Sequence, residues 1–242
     1  LDSVIQRAFD RGVQYILVPG LDLLTSRRAI HISEKYQNIY AAIGFHPHKE
    51  GKWNSQVSKE FEELSTHPKV IAIGEIGLDQ YRTEASLDEQ LIRLRAQLEL
   101  AQASQKPVLL HNRGEADLLL KILAEIIQTS ASKSPLRGVF HAFGGDAEIL
   151  KFAELNHFYI GIGGIITFPK SIQLQQMVLQ ILPRMVLETD SPVLSPKPYR
   201  GKRNEPAYLP IICKHIAEIT GQKEEEISSL TTQNAISLLG IK

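Results

Sequence analysis

The chain has one cysteine among its 242 residues, Cys213, which rules out an internal disulfide and a multi-cysteine zinc site. No apolar run approaches the length of a membrane span. Neither sign of charge is in excess: Lys plus Arg is 27, Asp plus Glu is 27, and the formal net charge is zero. Net charge therefore draws in no polyanion, and any nucleic-acid binding must use a local basic patch. There is no low-complexity linker and no break in composition to mark a domain boundary, so a single domain over residues 1–242 is expected. No glycine-rich phosphate fingerprint follows the first apolar strand, which counts against an open dinucleotide-binding sheet. The sequence opens on Leu1 without a signal peptide, and a cytoplasmic location is the default expectation.

What is present is an ordinary globular composition, 43% hydrophobic and 22% charged, long enough for one α/β barrel or two smaller domains. Apolar runs of strand length alternate with segments of helical period. Helices are expected over 2–11, 23–36, 55–66, 87–104, 115–128, 146–155 and 172–182, with closing helices over 207–220 and 224–239. Seven strands are expected, beginning at Tyr15, Ile39, Val70, Pro107, Gly138, Phe158 and Met185. Such alternation implies a parallel sheet with crossover helices. The expected fold class is α/β, a TIM-like (β/α)8 barrel. Eight strands close such a barrel. Because the chain opens on a helix, the first strand is expected to be missing, lying before Leu1.

The strand ends carry the chemistry, since barrels of this kind place their active sites at the C-terminal ends of the strands. Five apolar runs end on a residue that can bind metal: Ala41-Ala42-Ile43-Gly44-Phe45 on His46, Val70 to Gly74 on Glu75, Pro107 to Leu110 on His111, Gly138 to Phe140 on His141, and Met185 to Glu188 on Thr189-Asp190. One such ending would be an ordinary hydrogen-bonded core histidine. Five together point to a site. Histidines with carboxylates are the ligand set of catalytic Zn²⁺, Mn²⁺ and related ions, which makes Glu75, His111, His141 and Asp190 the candidate metal ligands. Glu75 is central, because a carboxylate at the end of a buried strand needs a cation or strong donors.

Five stretches occur in order: Gly44-Phe45-His46-Pro47-His48, Gly74-Glu75-Ile76-Gly77-Leu78-Asp79, His111-Asn112-Arg113, His141-Ala142-Phe143-Gly144-Gly145 and Glu188-Thr189-Asp190-Ser191-Pro192. Together they resemble the TatD-type metal-dependent deoxyribonucleases of the amidohydrolase superfamily, over nearly the whole chain. The resemblance implies a hydrolase using two divalent ions (Mg²⁺, Mn²⁺ or Zn²⁺) on DNA or nucleic-acid fragments, with no obligate protein partner. It makes Glu75 the bridge between the ions and has His111 and His141 complete the second site. Asp190 would hold the first ion and act on the attacking water, so Glu75 and Asp190 are the catalytic pair. The family's first strand ends in a His-x-His pair, and the only His-x-His here, His46-Pro47-His48, matches a different motif. Two alternatives stay open: a related barrel hydrolase acting on a non-nucleic ester, amide or lactone, or a non-catalytic binding protein if the pair is truly absent.

Substrate contacts are expected from four side chains. His46 suits a phosphate contact or a partner of a ligand better than a ligand. Arg113, two residues beyond His111, offers a planar fork for phosphate, or else caps the next helix. The segment Lys197-Pro198-Tyr199-Arg200-Gly201-Lys202-Arg203 holds four cations and one ring, so Tyr199 and Arg203 are candidates for stacking and backbone contact. The plain alternative is a solvated turn, with Asn204 capping the helix that follows. Cys213, on the apolar face of a closing helix, is expected in the core.

Overall fold

The computed structural model describes residues 1–81, 83–129 and 135–241. Among them, nine α-helices and seven strands alternate in the expected order. They group into two compact units, Tyr15–Phe140 and Leu1–Gln14 with His141–Lys242.

The Tyr15–Phe140 unit holds β1 (Ile16–Pro19), α2 (Leu23–Lys35), β2 (Ile39–Ile43), α3 (Ser55–Ser65), β3 (Val70–Asp79), α4 (Leu87–Ala103), β4 (Val108–Arg113), α5 (Ala116–Thr129) and β5 (Gly138–Phe140). Its five strands pair in parallel and in sequence order, as β-helix-β crossovers produce. Ile39, Ala41, Ile43, Val70, Ala72, Ile73, Ile76, Leu78, Val108 and Leu110 are buried, so both faces of the central strands are covered. Asp22 caps α2 and Ser86 caps α4, each in a reciprocal pair with the residue three positions on.

The second unit holds α1 (Asp2–Asp10), α6 (Ala147–Asn156), β6 (Tyr159–Ile162), α7 (Ile172–Ile181), β7 (Met185–Leu187), α8 (Leu209–Thr220) and α9 (Glu224–Leu239). β6 and β7 run parallel, with Ile160 opposite Met185 and Ile162 opposite Leu187. Helix α1 reaches the turn at 206–208, where Arg7 forks onto both carboxylate oxygens of Glu205 at 2.7 and 2.8 Å. Cys213 is buried in α8, as expected, and burial pushes its thiol up to about 11. No helix of the described residues is long and apolar enough to cross a membrane.

Two local findings differ from the sequence reading, and Trp53, which the sequence leaves undecided, finds its place. β3 does not stop at the glycine before Glu75 but continues to Asp79, and β4 continues past Leu110 to Arg113, so that Gly77 pairs with His111. Hydropathy ends both strands early, because a carboxylate and a histidine interrupt the apolar runs. Backbone pairing carries the strands further than hydropathy does. Asn204 is not a helix cap. Pro206 and Pro210 favour a short 3-10 turn over 206–208 before α8 begins, and the Asn204 amide binds the carbonyls of Thr189 and Val193 instead. Trp53 stacks on Phe61 and meets the edge of Phe45, which makes it part of the packing beneath the β2 loop.

Candidate metal centre

Glu75 owes its position to a bulge. Between Ile73 and Ile76, β3 advances three residues while its partner advances from Val108 to Leu110, so Gly74 and Glu75 occupy an extra step. A bulge re-aims a side chain that regular alternation would send elsewhere. Glu75 is 9% exposed, and its Oε1 meets His111 Nδ1 at 2.9 Å and His46 Nε2 at 3.2 Å. One ligand atom from each of His46, Glu75 and His111 lies within 4.8 Å of the others. Two imidazoles and a carboxylate are a donor set that divalent ions accept.

The hydrogen-bond network supports that fit at His111. Its Nε2 meets Asp79 Oδ2 at 3.0 Å while its Nδ1 meets Glu75, so the ring lies between two carboxylates. A neutral imidazole has a single N–H to give. The second contact then needs either a second ring proton or a cation between nitrogen and carboxylate. Asp79 is absent from the site residues that the sequence suggests. Its separation of four from Glu75 along an extended chain is the signal that could have found it. Gly77 makes room for this arrangement: a Cβ there would overlap the His111 carbonyl oxygen.

His46 plays a different part. The backbone N–H of His48 donates to His46 Nδ1 at 3.1 Å, which leaves the proton of a neutral ring on Nε2, directed at Glu75. Burial pushes the His46 imidazole below 6.5, against the upward pull of Glu75. Burial also lowers His48, whose ring lies 4.3 Å from that of His46.

Helix α4 fixes the ends of both strands with buried polar side chains. Gln97 Oε1 accepts the Phe45 N–H at 2.6 Å and its Nε2 donates to the Phe45 carbonyl at 3.3 Å. Gln90 treats Asp79 in the same way, at 2.9 and 3.1 Å. Between them Arg93, 2% exposed, donates to the Lys49 carbonyl at 2.6 Å and lies over the Phe45 ring. Spacings of three and four residues put this stripe on one helix face.

In the other unit, His141 ends β5's sequence run and meets Glu188 Oε2 through Nδ1 at 2.7 Å. The other Glu188 oxygen accepts the Ala142 N–H at 2.7 Å. His141 Nε2 then faces Asp190 Oδ1 at 3.6 Å. A carboxylate that accepts a hydrogen bond from Nδ1–H sets the tautomer with the lone pair on Nε2, the atom a ligand role uses. Glu188 is thus the partner that orients His141, a role the sequence reading missed although Glu188 directly follows β7, Met185–Leu187. Ala142 and Asp190 both hold left-handed backbone, φ 49° and 53°, as Gln105, His157 and Leu194 also do.

Of the remaining expected substrate contacts, Arg113 belongs to the Tyr15–Phe140 unit and Tyr199 and Arg203 to the other. Arg113 is exposed at the end of β4, with its guanidinium 5.4 Å from the Tyr81 ring centre. Tyr199 is half-buried and stacks on Tyr208, ring centres 4.3 Å apart. Arg203 is exposed.

Comparison with known proteins accounts for this pattern. A family model described as TatD related DNase matches residues 1–240. The metal-dependent hydrolase YabD of Bacillus subtilis is 38% identical over 242 residues, all of this chain and 93% of that one. The 3'-5' ssDNA/RNA exonuclease TatD of Escherichia coli K12 is 32% identical over 248 residues, covering 99% of this chain and 93% of the relative. Among solved structures, the TatD homologue YJJV of Escherichia coli K12 superposes with a TM-score of 0.90 at 28% identity, over 100% of this chain and 92% of that one. The protein is therefore a metal-dependent hydrolase with an α/β fold of the TIM-like amidohydrolase type. The chain belongs to the TatD-related DNase family.

Proposed function

We propose that this protein hydrolyses phosphodiester bonds in DNA or related nucleic-acid fragments with two divalent ions, Mg²⁺, Mn²⁺ or Zn²⁺. The observation that carries the proposal is His111 held between two carboxylates, with Glu75 shared by two histidines. A match of one family model to residues 1–240 supports reading the chain as one hydrolase domain. Relatives named as 3'-5' ssDNA/RNA exonucleases support the nucleic-acid substrate.

In this reading Glu75, His111, His141 and Asp190 hold the ions, which when bound acidify water and offset phosphate charge. His46 keeps its Nε2 proton and holds the Glu75 carboxylate in place, with substrate phosphate as its second partner. Asp79 and Glu188 fix the rings of His111 and His141. The Asp190 carboxylate takes the proton of the attacking water. Arg113 and Arg203 offer planar forks to the phosphates, and Tyr199 a ring edge to a base.

The test is cleavage of end-labelled single-stranded DNA with Mg²⁺, Mn²⁺ or Zn²⁺ and with a chelator, alongside a panel of non-nucleic esters and lactones. Metal-dependent shortening that is lost in His111→Ala is expected. Hydrolysis confined to the non-nucleic esters or lactones would transfer the assignment to a related hydrolase of that type. Bound metal surviving in His46→Ala but not in His111→Ala separates the two histidines' roles.

A further inference from the structure

The chemistry above accounts for Glu75, His111 and Asp79, but not for what lies immediately beyond them on the chain. Tyr81 is 68% exposed, the most open aromatic side chain among the large hydrophobic residues of the described chain. It is nonetheless held firmly. Its backbone N–H donates to Asp79 Oδ1 at 2.7 Å, and the other oxygen of that carboxylate holds His111. Its ring packs against the backbone of Gly114, where an added Cβ would lie 2.6 Å from Tyr81 Cε2. Gly114 has φ 89° and follows Arg113, whose guanidinium lies over the same ring. Gln80 closes the surround by donating to Glu115.

A ring that is 68% exposed gains little for folding, since an exposed aromatic leaves most of its hydrophobic area in water. It is well suited to stack a planar group. Base–aromatic stacking tolerates any base, and an arginine beside the ring adds a cation for the accompanying phosphate. The hydrogen bond through Asp79 ties the ring's backbone to the carboxylate that holds His111, so a base resting there would be registered against the candidate metal ligands.

We propose that Tyr81, backed by Gly114 and flanked by Arg113, is a nucleobase-stacking subsite for a single-stranded substrate. The proposal rests on the nucleic-acid reading of the site and adds a particular ring to it. An unpaired base presents an open face to such a ring, whereas a base within a duplex is covered on both sides by its neighbours. The subsite therefore favours single strands over duplex.

The experiment measures binding of a fluorescent single-stranded oligothymidylate and of the same oligomer with abasic sites, in chelator so that no cleavage occurs. It uses the wild type, Tyr81→Ala and Tyr81→Phe. The wild type is expected to bind the base-bearing strand about tenfold more tightly than the abasic one, the lower part of the range for one stacked base. Tyr81→Ala should lose most of that preference and Tyr81→Phe keep it, with unchanged thermal unfolding because the ring is exposed. A preference undiminished in Tyr81→Ala, or none in the wild type despite binding of both strands, overturns the subsite. A wild type that binds neither strand and cleaves no nucleic acid overturns the nucleic-acid reading itself.

Discussion

Gly77 stands opposite His111 in the β3–β4 ladder, and there is no space for any side chain between them. Gly77→Ala must push the two strands apart at the residues that hold Glu75 and Asp79 in register. It is expected to lower stability by about 2 kcal/mol or more, read from urea unfolding, and to weaken metal retention. Wild-type stability in the Gly77→Ala variant would show that the ladder yields more easily than so close an approach allows. At this scale, the sequence pointed to Glu75, His111, His141 and Asp190 as donors ending apolar runs, and the structure places Glu75 against His111 and Asp190 3.6 Å from His141. It did not reveal Asp79 or Glu188, which do not themselves coordinate in the proposed scheme but hold the histidines. Their role depends on which ring nitrogen faces which oxygen, and that is set by strand register and the bulge at Gly74-Glu75.

Helices carry the site at one remove. Asp22 caps α2, accepts from the Thr25 N–H and hydroxyl at 2.7 and 2.6 Å, and meets Lys49 Nζ at 3.2 Å, in the loop that follows His46. Burial alone would raise its pKa, but Thr25 and Lys49 outweigh burial and hold it below 3.8. A carboxylate depressed on folding gives stability that is fully present above 3.8 and lost as pH falls through the folded value. Asp22→Ala is expected to cost about 1 kcal/mol at neutral pH. The gap between the two proteins' urea midpoints should narrow as pH falls below 3.8. A gap that stays constant into acid would remove charge from the explanation of the cap. Helix positions were readable from period. The polar stripe Gln90, Arg93, Gln97 was not, because polar residues on a helix read as its wet face. Here each is buried against strand-end backbone whose hydrogen bonds need partners.

For the whole molecule, strand count and order were readable because alternation of two periods survives without tertiary knowledge. Seven strands are observed among the described residues. Net charge was readable too, and it sets an expectation for substrate binding. With 27 cations against 27 anions, only local cations contribute to phosphate contacts. Two such contacts, from Arg113 and Arg203, correspond to a slope of about −1.4 in log affinity against log salt for single strands. A slope steeper than about −4 would reveal a basic track that these two arginines do not supply.

The measurement that bears most directly on Glu75 as the centre of a metal-dependent hydrolase is elemental analysis of the purified protein after dialysis, wild type beside Glu75→Ala. Zinc, manganese or magnesium near two equivalents in the wild type, falling to one or fewer in the variant without loss of folding, is the expected result. Equal metal in both proteins would remove Glu75 from the centre. Metal absent from the wild type, with no uptake on titration, would contradict the metal site itself.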